Sequence, residues 1–199
     1  MADRLDMRRS LNELAYRQSG FFTSSQAREV GYTAQSQKYH ADRGNWVRIE
    51  RGLYRLADWP SQESDSYTRW FVWGEREGVL SHDSAAALHG IGDLDPGSVH
   101  LTFPTLRRTR LSGVTVHVAQ LPETDVLSHG TVLVTSPSRT VLDLADSPIT
   151  QEQFSELLRD ALERMLSDAQ TLSARADDFG PTAALRIERA LAGFRGNPT

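Results

Sequence analysis

Hydrophobic positions near the start of the chain recur at helical spacing. Leu11 and Leu14 lie on one face of a helix that the pattern predicts over residues 7–18. Gly20 is the expected stop, because glycine adopts the left-handed cap conformation without a Cβ penalty. The phenylalanine pair at 21–22 would then anchor the turn in a core.

Two more helical patterns follow, separated by Gly31. A hydroxyl side chain among residues 23–25 predicts the start of one helix, which runs to about Val30. Thr33 predicts the start of the next helix, over residues 34 to about 43. In both places a side-chain oxygen would accept a backbone N–H of the first turn.

The pattern then changes to alternation. Residues 46–55 alternate enough to form two short strands, with Arg51 and Gly52 at the bend. Helices around a glycine break, followed by a positively charged β-hairpin, are typical of a winged helix-turn-helix. The sequence therefore predicts a module that binds DNA, with one helix in the major groove and the hairpin on phosphates.

Candidate DNA-contacting side chains lie on the third helix and on the hairpin. The helix offers Gln35, Ser36, Lys38 and His40, whose polar groups suit base edges. The hairpin offers Arg48, Arg51 and Arg55, which suit phosphate contacts that position a protein without specifying sequence. By itself the helix is equally consistent with an ordinary solvated surface. The basic hairpin directly behind it favours DNA reading.

A domain boundary is predicted at residues 59–61, because the residue before a proline is pushed out of the helical region. The predicted domains are residues 1–58 and 62–199. The second domain has strand patterns at 99–103, 114–118 and 132–135. Helical patterns lie at 64–77, at 83–89, from Pro137 onward and over 150–194, the last with a break near 179–181. The predicted class is α+β: a winged helix-turn-helix, then a mixed domain with a helical end.

The amino-acid composition indicates the cellular compartment of the protein. The 199 residues include no cysteine, which excludes disulfides and thiolate metal sites and indicates a reducing compartment. The N-terminus is charged and lacks the apolar stretch of a signal peptide, and no apolar run is long enough to span a membrane. A cytoplasmic protein without membrane contact is expected.

Charge is unevenly distributed along the chain. The net charge is −4, yet residues 1–59 carry ten arginine and lysine residues against seven aspartate and glutamate residues. That part is therefore +3 and the remainder −7. Local charge governs phosphate contact, so the N-terminal part suits DNA. Because +3 is modest, binding by a dimer is the expectation.

The residues Ser81, His82 and Asp83 are those of a catalytic triad. Side chains adjacent in sequence at a helix end point apart, however, so they do not form the hydrogen-bonded arrangement of a triad. We interpret Ser81 as a helix cap instead, with Asp83 in the first turn and Gly90 as the stop. His82 and His89 lack the spacing of a zinc site and are interpreted as structural. No metal and no cofactor is predicted.

Two groups of charged residues also have both a structural and a functional interpretation. Arg107, Arg108 and Arg110 form a basic cluster between strands, for which a solvated turn is favoured over a second DNA contact. Arg139 and Asp143 have the i,i+4 spacing of a helix-surface ion pair, which would organise the domain rather than perform chemistry. No phosphate loop or cofactor fingerprint occurs, and no enzyme is predicted.

Four segments resemble one known family. Residues 43–54, RGNWVRIERGLY, resemble the wing of AbiEi-type antitoxins from type IV toxin–antitoxin and abortive-infection systems. Residues 80–91, LSHDSAAALHGI, residues 99–104, VHLTFP, and residues 135–145, TSPSRTVLDLA, resemble the second domain of that family. The ordered set is more specific than any single segment.

The resemblance implies a protein that binds inverted repeats in double-stranded operator DNA and represses its own operon. It also implies that the second domain opposes a nucleotidyltransferase-like toxin, with direct contact left open. The DNA-contacting residues it implies are those already named on the third helix and hairpin. The alternative is an ordinary winged-helix regulator whose second domain senses a ligand or partner, without a toxin. A phosphotransferase is disfavoured, since no acidic metal-binding pair follows a glycine-rich loop.

Overall fold

A computed structural model of the chain describes residues 3–62, 65–107 and 111–195. The chain divides into two compact units. The first comprises residues 1–78 together with 129–132, and the second comprises residues 79–128 together with 133–199. Among the described residues, no helix combines the length and the apolar character needed to cross a bilayer.

The first unit combines helices with a small sheet. Its elements are α1 (Arg4–Tyr16), β1 (Phe21–Thr23), α2 (Ser24–Glu29), α3 (Ala34–Asp42), β2 (Trp46–Glu50), β3 (Leu53–Leu56) and α4 (Asp65–Trp73). The strands are antiparallel in the order β1–β3–β2. The succession of α1, α2 and α3 before the hairpin β2–β3 agrees with the predicted winged helix-turn-helix. The segment at 59–61, where a domain boundary is predicted, lies within this unit.

Hydroxyl side chains start both short helices, as predicted. The Thr23 hydroxyl accepts the Gln26 N–H at 3.1 Å, while Gln26 Oε1 accepts the Thr23 N–H at 2.9 Å. Thr33 starts α3 by accepting the Ser36 N–H at 3.2 Å. The helices α2 and α3 end within a residue of the predicted positions.

The phenylalanine pair is buried as predicted, but it belongs to a strand that the sequence did not predict. β1 is three residues long, too short for alternation to show. It pairs with β3 so that Phe22 lies opposite Tyr54. The Phe22 ring also meets the Trp46 ring edge-on at 4.8 Å, which joins all three strands in one aromatic core.

The turn between α1 and β1 depends on glycine. Gly20 has a φ of +82° and donates its N–H to Ala15 O at 2.8 Å, which ends α1 as the sequence predicts. A Cβ on Gly20 would lie 2.4 Å from Trp59 Cγ. The segment after β3 therefore packs directly on this turn, and only hydrogen fits between them.

The second unit contains a mixed sheet and a set of helices. Its elements are β4 (Val79–Leu80), α5 (His82–His89), β5 (Val99–Phe103), β6 (Val114–Val118), β7 (Val126–His129), β8 (Val132–Thr135), α6 (Pro137–Ala145), α7 (Gln151–Glu163), α8 (Ala169–Arg175) and α9 (Pro181–Arg195). The last residue of β7 and the first of β8 are counted with the first unit. The strand order is β6–β5–β4–β8–β7. The predicted strands at 99–103, 114–118 and 132–135 are confirmed, whereas β4 and β7 were not predicted.

The strands β5 and β6 are parallel neighbours, with Leu101 opposite Val116. The connection between them must therefore return along the length of the strands instead of turning tightly. Arg107 lies in this connection, and Arg108 and Arg110 lie outside the described residues.

The helices of the second unit share one apolar core. Its members include Leu142, Phe154, Leu157 and Ile187, each at most 1% exposed. The predicted helical tail is confirmed with its break before Pro181. A further break separates α7 from α8, where Met165 has a φ of +53°.

The prediction that the Ser81 hydroxyl caps α5 is wrong. Ser81 occupies the N-cap position, but its side chain makes no cap hydrogen bond. Its buried Oγ instead accepts from Thr102 Oγ1 at 2.8 Å and lies 2.9 Å from His82 Nδ1. The hydroxyl therefore joins the helix start to β5.

Replacing Gly20 by alanine tests the close packing of this turn. Gly44→Ala is the matched control, because Gly44 also has a positive φ but has open space where its Cβ would stand. Both variants carry left-handed strain of about 1–2 kcal/mol. Gly20→Ala should lose a further 1–3 kcal/mol or so of unfolding free energy from overpacking against Trp59, as measured by urea denaturation. Equal losses in the two variants would contradict the packing.

Candidate functional site

The exposed face of α3 carries two of the predicted DNA-contacting residues. Gln35 is exposed and Lys38 Nζ forms an ion pair with Asp42 Oδ2 at 2.5 Å. The Lys38 and Asp42 side chains are 75% and 60% exposed, so this pair contributes little and yields readily to a phosphate or a base. Tyr39, which the sequence analysis did not select, is 54% exposed on the same helix.

Two other predicted residues of α3 have partners within the fold. Ser36 Oγ donates to Thr33 O at 2.9 Å. The His40 ring stacks on Trp46 with centroids 4.8 Å apart, and Nδ1 lies 3.1 Å from Asn45 Nδ2. These contacts hold α3 in place. Base contact by Ser36 or His40 stays a prediction.

The wing arginines divide into two kinds. Arg48 and Arg51 are exposed, and neither forms an ion pair with any residue that the structure describes. Arg55 is only 12% exposed, because its Nη2 donates to Asp65 Oδ2 at 2.7 Å and its guanidinium lies 4.7 Å over the Phe21 ring. Arg55 therefore joins the hairpin to α4, and DNA contact by it stays a prediction.

A groove of about 850 Å³ runs between α1 and α3. Arg4 and Arg8 line it from α1, and Gln35 and Tyr39 line it from α3. Both arginines are exposed, which adds positive charge beside the polar face of α3. The sequence analysis did not select Arg4 or Arg8 as DNA-contacting residues. Their i,i+4 spacing on a single face was the available signal.

The basic cluster of the second unit is only partly described. The Arg107 guanidinium lies 5.0 Å over the Phe103 ring. Arg108 and Arg110 lie outside the described residues. A second DNA contact at this cluster stays a prediction.

A charge network lies inside the second unit. Arg175 donates from both terminal nitrogens to Asp125, at 2.7 and 2.6 Å, and Arg139 Nη1 donates to the same carboxylate at 3.2 Å. Arg139 Nε also donates to Asp143 Oδ1 at 2.8 Å. Asp125, Arg139 and Asp143 are all at most 8% exposed. The surface pair predicted for Arg139 and Asp143 is therefore wrong, because α6 is buried on that side.

The pKa values of the two buried carboxylates are shifted in opposite directions. For Asp125, burial alone would raise the pKa, but hydrogen bonds from Arg175 and Arg139 outweigh it and lower the pKa below 3.8. For Asp143, burial outweighs the charge of Arg139 and raises the pKa to about 6. The network is thus centred on Asp125, which faces two guanidinium groups.

Three histidines meet where α5 begins beside β5 and β6. His82, His100 and His117 each bring a ring nitrogen within 4.8 Å of the other two. The rings of His82 and His117 stack with centroids 3.6 Å apart. Burial lowers the pKa of His82 to about 3 and that of His117 to about 4, so both rings are neutral at neutral pH. No spacing in the sequence indicated this cluster, because its members come from separate elements.

Two family models match the chain. Residues 9–57 match the model described as a transcriptional regulator, AbiEi antitoxin, and residues 77–192 match the AbiEi antitoxin C-terminal domain. The chain belongs to the AbiEi antitoxin family. The resemblance noted in the sequence is confirmed, and the first match includes α3 and the whole hairpin.

A solved structure of similar fold is the RV2827C protein from Mycobacterium tuberculosis. It matches with a TM-score of 0.65 and 16% sequence identity, over 97% of this chain and 78% of that chain. At this level of identity the likeness shows the fold alone. No curated protein shows significant similarity to the chain.

Membership of the AbiEi family supports an antitoxin role in a toxin–antitoxin system. Both matched domains are regulatory rather than catalytic, which agrees with the prediction that the chain is not an enzyme. The regulator domain at 9–57 also agrees with DNA binding by the first unit.

Asp125→Asn tests the buried charge network of this AbiEi protein. Removing the anion leaves Arg175 and the buried Arg139 undercompensated, so we expect a loss of about 3–5 kcal/mol of unfolding free energy at pH 7, measured by urea denaturation. The exposed Asp93→Asn is the control and should stay within about 0.5 kcal/mol of wild type.

The same variant has a pH signature. Because the pKa of Asp125 is lowered in the folded protein, the unfolded state binds more protons as the pH falls. The stabilisation that ionised Asp125 gives the folded protein is therefore present above pH 3.8 and is lost as the pH falls further. The stability gap between wild type and Asp125→Asn should therefore narrow at pH 3. A gap that is constant from pH 7 to pH 3 would rule out this role.

Proposed function

We propose that the chain is an antitoxin that binds inverted repeats in the promoter of its own operon and represses it. The observation that carries the proposal is that some polar side chains of α3 and the hairpin are exposed, while others make contacts within the fold. Gln35, Lys38, Arg48 and Arg51 are exposed, whereas His40 and Arg55 hold the two elements in the fold.

In this proposal α3 enters the major groove. The Gln35 amide offers a donor and an acceptor that match an adenine edge, and Lys38 offers a charge to a guanine or a phosphate. Arg48 and Arg51 contact phosphates on the flanking backbone, which sets the register of the helix. Arg4 and Arg8 add phosphate contacts from the other wall of the α1–α3 groove.

Two copies of the chain occupy the two halves of an inverted repeat. The modest charge of residues 1–59 supports this, since one copy supplies few phosphate contacts. A two-fold protein dimer also mirrors the symmetry of a palindromic site. We propose residues 1–58 as the DNA-binding domain and residues 62–199 as the antitoxin domain.

The antitoxin domain opposes a nucleotidyltransferase-like toxin encoded beside it. The match of residues 77–192 to the AbiEi C-terminal domain supports an antitoxin role for this part of the chain. Whether it binds the toxin directly is decided by co-purification of the two proteins.

Lys38→Ala combined with Arg51→Ala tests the DNA surface. The double variant should weaken binding to a DNA fragment from upstream of its own gene, because each side chain neutralises a phosphate charge. In a mobility-shift titration over salt, the slope of log K against log salt should become shallower by about two.

The matched control is Arg159→Ala combined with Arg189→Ala. It makes the same charge change at two exposed positions in the second unit. It should keep the wild-type slope. Equal slopes for wild type and the Lys38/Arg51 variant would remove these residues from the DNA surface.

Co-expression with the neighbouring gene separates repression from neutralisation. We expect the full-length Lys38/Arg51 double variant to restore growth of cells that express the neighbouring toxin, while a promoter reporter is no longer repressed. Loss of both effects would place the toxin-opposing activity in the same surface as DNA binding. Absence of any growth defect from the neighbouring gene would favour the regulator without a toxin.

A further inference from the structure

The cluster of His82, His100 and His117 has the composition of a metal site. Imidazole nitrogen is a preferred ligand of Zn²⁺ and related divalent ions, and three histidines with one open position form a common zinc site. We propose that these three histidines bind one Zn²⁺ ion in the antitoxin domain. This site lies in the second unit and is independent of the DNA surface.

The sheet places two of the ligands on one face. His100 lies in β5 and His117 in β6, and the register sets His117 opposite Thr102. Because side chains alternate along a strand, His100 and Thr102 share a face, and His117 shares it with them. His100 Nδ1 and His117 Nε2 are 3.2 Å apart. A tetrahedral zinc ion with bonds of about 2.0–2.1 Å holds its nitrogens about 3.3 Å apart, so this pair already has the required spacing.

His82 supplies the third nitrogen from the start of α5. Its Nδ1 lies 2.9 Å from Ser81 Oγ. When Nδ1–H donates to that oxygen, Nε2 keeps a free lone pair for a metal. The three ring nitrogens lie within 4.8 Å of one another and the His82 ring stacks on that of His117, so His82 must rotate off this stack to complete a tetrahedral site.

A carboxylate stands behind one ligand. Asp83 Oδ2 lies 3.8 Å from His100 Nε2, the nitrogen on the other side of the ring from the cluster. At 3.8 Å this is an ion-pair distance rather than a hydrogen bond, and a carboxylate that accepts the Nε2–H would orient a ligating histidine and raise its basicity. Ser81 has the corresponding place behind His82.

The surroundings favour a cation. The histidines line a cavity of about 370 Å³ that Asp83, Asp143, Asp146 and Arg139 also line. The lining thus contains three carboxylates and one guanidinium. Asp143 is 7% exposed, and its Oδ2 has no hydrogen-bond partner among the described residues. A bound ion would offset this negative charge and would join α5 to the two parallel strands.

Zinc titration of the untagged full-length protein tests the proposal. After treatment with EDTA, the wild type should take up one Zn²⁺ per chain in competition with a chromophoric zinc indicator, and its unfolding midpoint should rise with added ZnCl₂. Co²⁺ should give the visible absorption bands of a tetrahedral site.

Single variants locate the site. His117→Ala and His82→Ala should weaken zinc binding at least about tenfold and abolish the midpoint shift, and Asp83→Asn should weaken binding about tenfold with unchanged stoichiometry. His129→Ala, at an exposed histidine of β7, is the control and should match wild type. His117→Gln replaces His117→Ala if the alanine variant does not fold in the presence of EDTA, as judged by circular dichroism.

Two results would overturn the site. One is wild-type protein that neither competes with the indicator nor shifts its midpoint. The other is zinc uptake that is unchanged in the His82 and His117 variants, which would assign the ion to an adventitious surface position.

Discussion

The contact of Trp46 with α3 is the constraint on which the proposed DNA-binding surface depends. Trp46 lies in β2, is 5% exposed, and packs against the rings of His40, Tyr32 and Phe22. These rings connect α3, the turn before it and the sheet. Aromatic rings pack with few internal degrees of freedom, so they hold the helix and the hairpin at a defined separation. A surface that contacts groove and backbone together needs that rigidity.

The arginines of the hairpin differ in exposure because they lie beside different neighbours. Arg55 sits where β3 meets α4, and Asp65 and the Phe21 ring take up its guanidinium. Arg48 and Arg51 lie farther toward the hairpin bend, where no acidic residue of the described chain pairs with them. Position within the hairpin, rather than residue type, separates an arginine that stabilises the fold from one that stays exposed.

The second unit depends on polar groups held in an apolar setting. Asp125 accepts hydrogen bonds from Arg139 and Arg175 beside α6. The three histidines cluster where α5 meets the sheet. Removing either set of polar groups from water is costly unless they are paired. The guanidinium pairs meet that need for Asp125. The histidine cluster meets it in part, through Ser81 and Asp83, and a metal ion would meet the remainder.

Local chemistry in the sequence determined the N-terminal fold and the family. Capping hydroxyls at Thr23 and Thr33, the glycine at 20 and the alternating basic hairpin act between near neighbours, so they are readable without coordinates. Only the tertiary structure decided which polar side chains are exposed and which have partners within the fold. It alone brought His82, His100 and His117 together. Exposure and clustering depend on residues distant along the chain, and no spacing rule records those contacts.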